Sequence, residues 1–440
     1  MLKTTLILAT FFLICAGEAA AQTRPSSLST IFDDVFGPNG LVLSSDDVQL
    51  DGTNHAAHFN SSFQSDFRLM NIALTSQLTA VPVPSPASGF TYKFDPSTGT
   101  FVRSTRSFGP ILADRGETIG RGRIAFGANF QFFSFDRLDG TSLSDVPAVF
   151  RHDAYRSTGG RSDVIATRNT IEATVTQFTG ALTFGVTDRI DVSAAIPVVR
   201  TRISLLSNAT IQRVGTGTDL GVHYFLDPAA PGSHGTSRQF IASGEAAGIG
   251  DVLLRAKATV MRESTRALAA GIDLRVPTGD ERNLLGSGAI GARPFIALSA
   301  SYGLAAPHLN AAYQWNGRSL LAGDVREDVK ADLPDQFQYA VGTDLAVNPR
   351  LSLVLDLLGQ RLVHSPRLST FDFLAEGPVG SVSLRDLQFQ TASFWTSSGS
   401  VGLKANLAPR LLINFNLRFA ISDAGLTDRI TPLLGMEWAF

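Results

Sequence analysis

ITPLLGMEWAF, residues 430–440, shows its structure when read in steps of two. Ile430, Pro432, Leu434, Met436, Trp438 and Phe440 fall on one face, and Thr431, Leu433, Gly435, Glu437 and Ala439 on the other. Alternate side chains of a strand point to opposite faces, so this is a strand with one strongly apolar face. That face runs to Phe440, where a soluble domain usually carries loose polar residues. Lipid is the expected cover. On this reading Glu437 lies on the opposite, inward face, and its substitution is expected to be mild.

The opposite end supports an exported chain. MLKTTLILATFFLICAGEAAAQ places Lys3 before an apolar run and small residues at Ala19 and Ala21. This is the layout of a secretory signal peptide, so residues 1–21 are expected to be removed. The single cysteine, Cys15, lies within that segment, which leaves the mature chain without disulfide or thiol chemistry. Ile14 before it is bulkier than lipoprotein processing favours.

The 440 residues carry a formal net charge of −2, which recommends neither nucleic acid nor an acidic membrane surface as partner. Charged residues make up 17%, below the roughly 25% of soluble proteins. Mean hydropathy is +0.11, yet no apolar stretch of about 20 residues follows the signal. Alternating strands dilute apolar residues in this way, so a β-barrel of the bacterial outer membrane fits.

The same alternation recurs along the chain. Ile124, Phe126, Ala128, Phe130 and Phe132 oppose Ala125, Gly127, Asn129 and Gln131. Residues 251–260, 268–276, 308–315, 336–345, 351–360 and 411–419 repeat the scheme. Connections alternate too. Those at 186–189, 262–266, 303–307, 347–350 and 407–410 are tight. Those near 137–168, 205–248, 278–291, 317–335, 363–394 and 421–428 are long. Short turns at one end and long loops at the other mark an outer-membrane barrel, closed because lipid tolerates no unpaired edge. The expected fold is therefore an all-β transmembrane, antiparallel barrel of about 12 strands (12–14) over residues 122–440, with an N-terminal part-helical plug.

Residues 22–121 precede it, as a plug or a periplasmic segment. Phe59, Phe63, Phe67, Leu74 and Leu78 recur near helical spacing and are the plug candidates. Pro82, Pro84 and Pro86 then end any helix. Leu28, Ile31, Phe32, Val35 and Phe36 suggest an earlier helix, and DPSTG (95–99) a hairpin turn.

The words Gly248-Ile249-Gly250-Asp251, Pro277-Thr278-Gly279-Asp280, Leu285-Gly286-Ser287-Gly288 and Pro307-His308-Leu309-Asn310 resemble outer-membrane proteins of the phenol-degradation (meta-pathway) family, often called transporters. These are similar in turn to FadL-type channels. Residues 89–110 also look like members with N-terminal plugs. The resemblance implies an outer-membrane channel for passive uptake of small hydrophobic or aromatic compounds, with no agreed catalytic residues. A general diffusion porin or a structural barrel is the alternative.

Asn129, Gln131, Asp251, Arg255, Lys257, Asp273, Arg275, Asp344, Asp356, Lys404, Asn414, Asn416 and Arg418 are the lumen-lining candidates. A basic residue facing lipid at the midplane costs about 2–4 kcal/mol, so the strand phase must turn these charges inward. Once inside, they can bridge one another across strands or form a polar constriction. GSGAIG (286–291) lacks the strand-to-helix context of a phosphate loop, and His55 and His58 have no further ligands nearby. No metal or cofactor is expected. A barrel hydrolase would need a histidine beside a nucleophile near the outer rim, and no such signature surrounds His223, His234, His308 or His364. No enzyme is expected. The expected partners are outer-membrane lipid, small hydrophobic solutes and the barrel assembly machinery, whose recognition signal Trp438 and Phe440 resemble.

Overall fold

A computed structural model describes residues 27–37, 40–46, 59–61, 63, 69–80, 92–95, 100–103, 106–152, 155, 160–226, 232–408 and 410–440. The expected signal segment 1–21, together with His55, His58 and Phe67, lies outside the described residues, as does the side chain of Leu78.

Twelve strands close a single ring. They are β1 (Ile124–Phe135), β2 (Val164–Gly185), β3 (Ile190–Gln212), β4 (Ser237–Ile249, resuming as Val252–Arg262), β5 (Arg266–Val276) and β6 (Gly291–Ala300). They continue as β7 (Ala305–Asn316), β8 (Asp335–Asn348), β9 (Leu351–Gly377), β10 (Gly380–Ala408), β11 (Leu411–Ala420) and β12 (Ile430–Ala439). Each is antiparallel to the next, and β12 returns to β1 with Leu434 opposite Phe130 and Trp438 opposite Phe126. The two parts of β4 both pair with β3, so they count as one strand broken at Gly250 and Asp251.

The expected phase holds. Phe126, Phe130, Phe178, Leu182, Ile196 and Leu434 are exposed on the outer wall, while Asn129, Gln131 and Asp273 between such positions are buried inside. In lipid every backbone polar group must be paired internally, which a closed antiparallel ring achieves. Trp438 stacks on Phe440 at 5.0 Å near the tight-turn end, and Trp315 and Trp395 are exposed on the wall towards the other. Aromatic residues occupy both interfaces of such barrels.

Two expected loops are corrected. The strands β2 and β3 run for 22 and 23 residues, and β9 and β10 for 27 and 29. Much of 205–248 and nearly all of 363–394 is therefore ladder, although about 9–11 residues suffice to span a membrane. Beyond the bilayer the outward face no longer has to be apolar. The alternation fades there while the hydrogen-bonded ladder continues. A bulge between Leu362 and Ser365, with His364 at φ 52°, bends the β9–β10 hairpin. Its Val379 N–H donates to Val214 O at 3.0 Å, beside the outer end of β3.

Because tight turns lie on the periplasmic side of such barrels, Ser233 and Ser381 are expected outside the cell and Asn348 in the periplasm. Single cysteines at Ser233 and Ser381 should react with an impermeant maleimide on intact cells, and one at Asn348 should not. The reverse pattern would invert the barrel.

The N-terminal region is part-helical as expected. A 3-10 turn (Leu28–Thr30) leads into α1 (Ile31–Asp34), and α2 spans Leu69–Ala80 and ends before Pro82. The hairpin about 95–99 also forms, with Asp95 opposite Thr100. One part differs. Phe59–Asn60 is extended and pairs with His152 and Arg151, because an available strand edge overrides the local helical spacing.

Candidate functional site: the lumen and an internal strap

Residues 106–120 run along the inner wall at the tight-turn end. The strap begins with Phe108, fully buried against Leu412 and Ala439. Its N–H donates to Ser352 Oγ at 2.9 Å, and Gly109 N–H donates to Asp344 Oδ2 at 3.1 Å. Lys404 Nζ donates to Pro110 O at 3.3 Å and pairs with Glu437 at 2.5 Å. Ile111 and Leu112 pack on Val354 and Leu433.

Charge carries the middle of the strap. Arg115 and Asp344 pair at 2.9 Å, both almost fully buried. His308 lies between Asp356 (2.6 Å) and Asp344 (3.5 Å). Asp114 exchanges two hydrogen bonds with Asn310, at 2.6 and 2.9 Å, and receives Arg255 Nη1 at 2.8 and 3.0 Å. Arg255 also pairs with Asp273 on the neighbouring strand at 2.6 Å, and Arg293 joins Asp273 from the other side. Asp114, Arg255, Asp273 and Arg293 thus alternate in sign. Buried charges must be paired in this way, since removing one partner leaves an uncompensated ion.

The far end of the strap crosses β6, β4 and β3. Gly116 N–H donates to Ser299 Oγ at 3.1 Å, Thr259 Oγ1 donates to Gly116 O at 2.7 Å, and Lys257 Nζ donates to Glu117 O at 2.8 Å. Ile119 N–H then donates to Asp191 Oδ2 at 3.0 Å. A Cβ on Gly116 would sit 2.2 Å from Ala267 O, so only glycine lets the strap lie this close to β5.

The outer half of the lumen holds α1 and α2. Gln77 donates to Leu426 O at 2.6 Å, and Gln336 to Thr79 Oγ1 at 3.2 Å. Phe59, Phe63 and Leu74 are buried in one cluster with the inward-facing Phe133, Ile203 and Leu205. Asp46 accepts hydrogen bonds from His234 (2.7 Å) and Tyr224 (2.9 Å) of the outer loops, and the His234 bond does most to hold its carboxyl below the usual range.

Between α2 and the strap lies a chamber that is partly open to solvent. Leu112, Ala113 and Asp114 form its floor, Gln77 and Leu426 reach it from the outer side, and Phe295, Ala312 and Leu358 supply apolar wall. Arg293, Arg418, Asp114 and Asp428 are its charged residues. Asp428 lies in the β11–β12 loop, where burial pushes its carboxyl above the ordinary value despite hydrogen bonds from Thr431, Ser134 and Ile430.

Every lumen candidate sits on the inward face, but the structure divides them. Arg255, Lys257, Asp344 and Lys404 contact the strap directly, while Asp356 is linked to it through His308 and then Asp344. Asn129, Gln131, Asn414 and Asn416 are buried along the wall of β1 and β11. Arg275 faces Asp251 at 3.6 Å. Asp251 itself is not an open lumen charge, because it accepts Gly279 N–H (3.1 Å), Ser287 N–H (2.7 Å) and Ser287 Oγ (2.5 Å). It thereby clamps the β5–β6 loop over the break in β4. GIGD, PTGD and LGSG, read as separate words, meet at this clamp, and a Cβ on Gly286 would lie 2.3 Å from Asp251 Oδ1.

Sequence reasoning missed the strap, including Arg115 and Asp114, and the place of His308 and Asn310 in holding it. The signal was present in PHLN, where two polar side chains alternate inward beside the tight turn. The mild effect expected at Glu437 is also corrected. Glu437 is 3% exposed and forms an ion pair with the fully buried Lys404, which would lose that partner.

Residues 152–361 match the family described as "Putative MetA-pathway of phenol degradation", and the resemblance read from the sequence holds over that span. No curated protein matches the chain. Among solved structures, the chain is similar to an outer membrane channel from Pseudomonas putida F1, at 14% identity and a TM-score of 0.44, covering 74% of this chain and 97% of that one. It is also similar to the CymD monoaromatic hydrocarbon channel, at 10% identity and a TM-score of 0.34, covering 73% and 89%. A FadL homologue of Pseudomonas aeruginosa aligns at 11% identity and a TM-score of 0.30, covering 80% and 94%.

Proposed function

We propose that this outer-membrane barrel, with the phenol-degradation family pattern over residues 152–361, is a channel for the passive uptake of small hydrophobic or aromatic compounds. One observation carries the reading. The chamber is bounded by α2 and the strap and lined partly by Phe295, Ala312 and Leu358, so it offers a small solute a partly sheltered, half-apolar stopping place. A general diffusion porin would instead keep a continuous aqueous lumen, and here N-terminal residues lie against the inner wall at two levels. We read the protein as non-enzymatic. Residues 22–121 act as the plug in this reading, with residues 1–21 removed on export.

The test fills the chamber. Ala312 is an inward-facing, buried wall residue, and Ala312→Phe adds a ring where a solute would rest. Entry of radiolabelled toluene or phenol into cells that depend on this protein should fall about tenfold, with barrel abundance unchanged; overpacking costs about 1–3 kcal/mol, which a barrel tolerates. Unchanged aromatic entry, together with protein-dependent entry of a sugar, would favour the porin.

A further inference from the structure

Four charged residues line the chamber, and three of them are engaged. Arg293 pairs with Asp273 and donates to Gln338 at 2.9 Å, while Asp114 is held by Arg255. Asp428 accepts Thr431 Oγ1 at 2.8 Å, Ser134 N–H at 3.3 Å and Ile430 N–H at 3.2 Å. Arg418 differs. Its Cζ lies 5.6 Å from the centre of the Phe133 ring, and among the described residues its guanidinium makes no hydrogen bond or ion pair.

A guanidinium seated on a ring face keeps its five N–H donors in its own plane. Those donors match a carboxylate in a two-pronged arrangement, and such a pair is stronger than a neutral hydrogen bond. The remaining wall supplies the apolar complement through Phe295, Leu358 and Leu426. On the strap side Asp114 is already balanced by Arg255, and the chamber's other cation, Arg293, is held by Asp273.

We propose that Arg418 is a carboxylate-binding residue, and that the chamber takes compounds with an aromatic or other apolar body bearing one carboxylate. This rests on the reading of the chamber as the place where a solute stops. The chamber then separates such acids from neutral analogues of the same size. A hydroxyl accepts at most one neutral hydrogen bond, where the carboxylate forms a charged, two-pronged pair that the guanidinium's through-space attraction to Asp428 does not replace. Small hydrophilic acids engage it too, but leave the apolar wall uncovered.

Binding of radiolabelled benzoate, benzyl alcohol and acetate to the full-length protein in nanodiscs tests this. Benzoate should bind about tenfold more tightly than either of the others. Arg418→Gln should bring benzoate down to the level of benzyl alcohol and leave the alcohol unchanged. Arg418→Lys should retain part of the preference. Retained heat-modifiable migration on gels checks that each variant is a folded barrel. Equal binding of benzoate and benzyl alcohol by the wild type would overturn the proposal while leaving hydrophobic uptake intact. A benzoate preference that survives Arg418→Gln would do the same. Failure of both aromatic probes to bind, with aromatic entry insensitive to Ala312→Phe, would remove the uptake reading as well.

Discussion

A chain lacking residues 22–121 should conduct ions in a planar bilayer as an open barrel, where the full chain passes little current. The deletion removes α1, α2 and the strap together, and leaves the twelve-stranded ring with its closing pair intact. A barrel of eight strands is nearly filled by its own side chains, whereas one of about sixteen leaves an aqueous channel. Twelve strands leave a space between these limits, and α1, α2 and the strap lie within it. A graded version follows from the strap's charges. Asp344→Ala removes the acceptor for Gly109 N–H and the ionic partner of Arg115 at once. Breaking a buried pair costs about 3–5 kcal/mol, comparable with what several hydrogen bonds hold, so the strap should detach intermittently and the current should flicker. Asp251→Ala should not open the pore in this way, because its contacts secure the β5–β6 loop rather than the strap. Equal conductance of the full and shortened chains would show that the segment does not occlude the lumen, and the porin reading would gain.

Phe440→Asp should leave most of the protein unassembled in the periplasm. Phe440 stacks on Trp438, and its N–H donates to Ile124 O at 2.8 Å, so it sits on the seam that closes the ring. A charge near the interface costs only about 0–1 kcal/mol in lipid, too little to unfold a barrel. A large assembly defect would therefore report a lost recognition feature. The comparison is Leu434→Arg, midway along the same outer face and 53% exposed. There the lipid penalty is about 2–4 kcal/mol. That variant should assemble but unfold at lower denaturant. Normal assembly of the Phe440 variant would remove Trp438 and Phe440 as an assembly signal. The lumen-facing Glu437→Ala should also be destabilising, because it removes the ion-pair partner of a fully buried lysine.

The barrel was legible because lipid imposes its rule on every strand separately. A strand crossing the membrane has to alternate, whatever its neighbours are, so the outward set Ile124, Phe126 and Phe130 and the inward set Asn129 and Gln131 could be read within one segment. Turn length alternated as well, and together these features gave a closed barrel of about 12 strands (12–14) and the phase of its charges, while the ring itself fixed the number at twelve. Where lipid ends, the rule ends with it, which is why the long ladders of β2, β3, β9 and β10 looked like loops. The strap lay beyond such reading. RSFGPILADRGETIG (106–120) has no period, since it touches the wall through individual side chains rather than through a repeated face. Its partners lie far along the chain: Phe108 with Ser352, Asp114 with Asn310, Gly116 with Ser299. Which inward charges would hold the strap, which would clamp a loop and which would remain unspent depended on closing the ring. Closure brings residues from six or more strands to one level of the lumen, and no local pattern encodes that meeting. Sequence periodicity therefore determined the wall and the direction of its side chains, while the tertiary structure alone decided that Asp344 holds the strap and that Arg418 faces the chamber without a hydrogen bond or ion pair among the described residues.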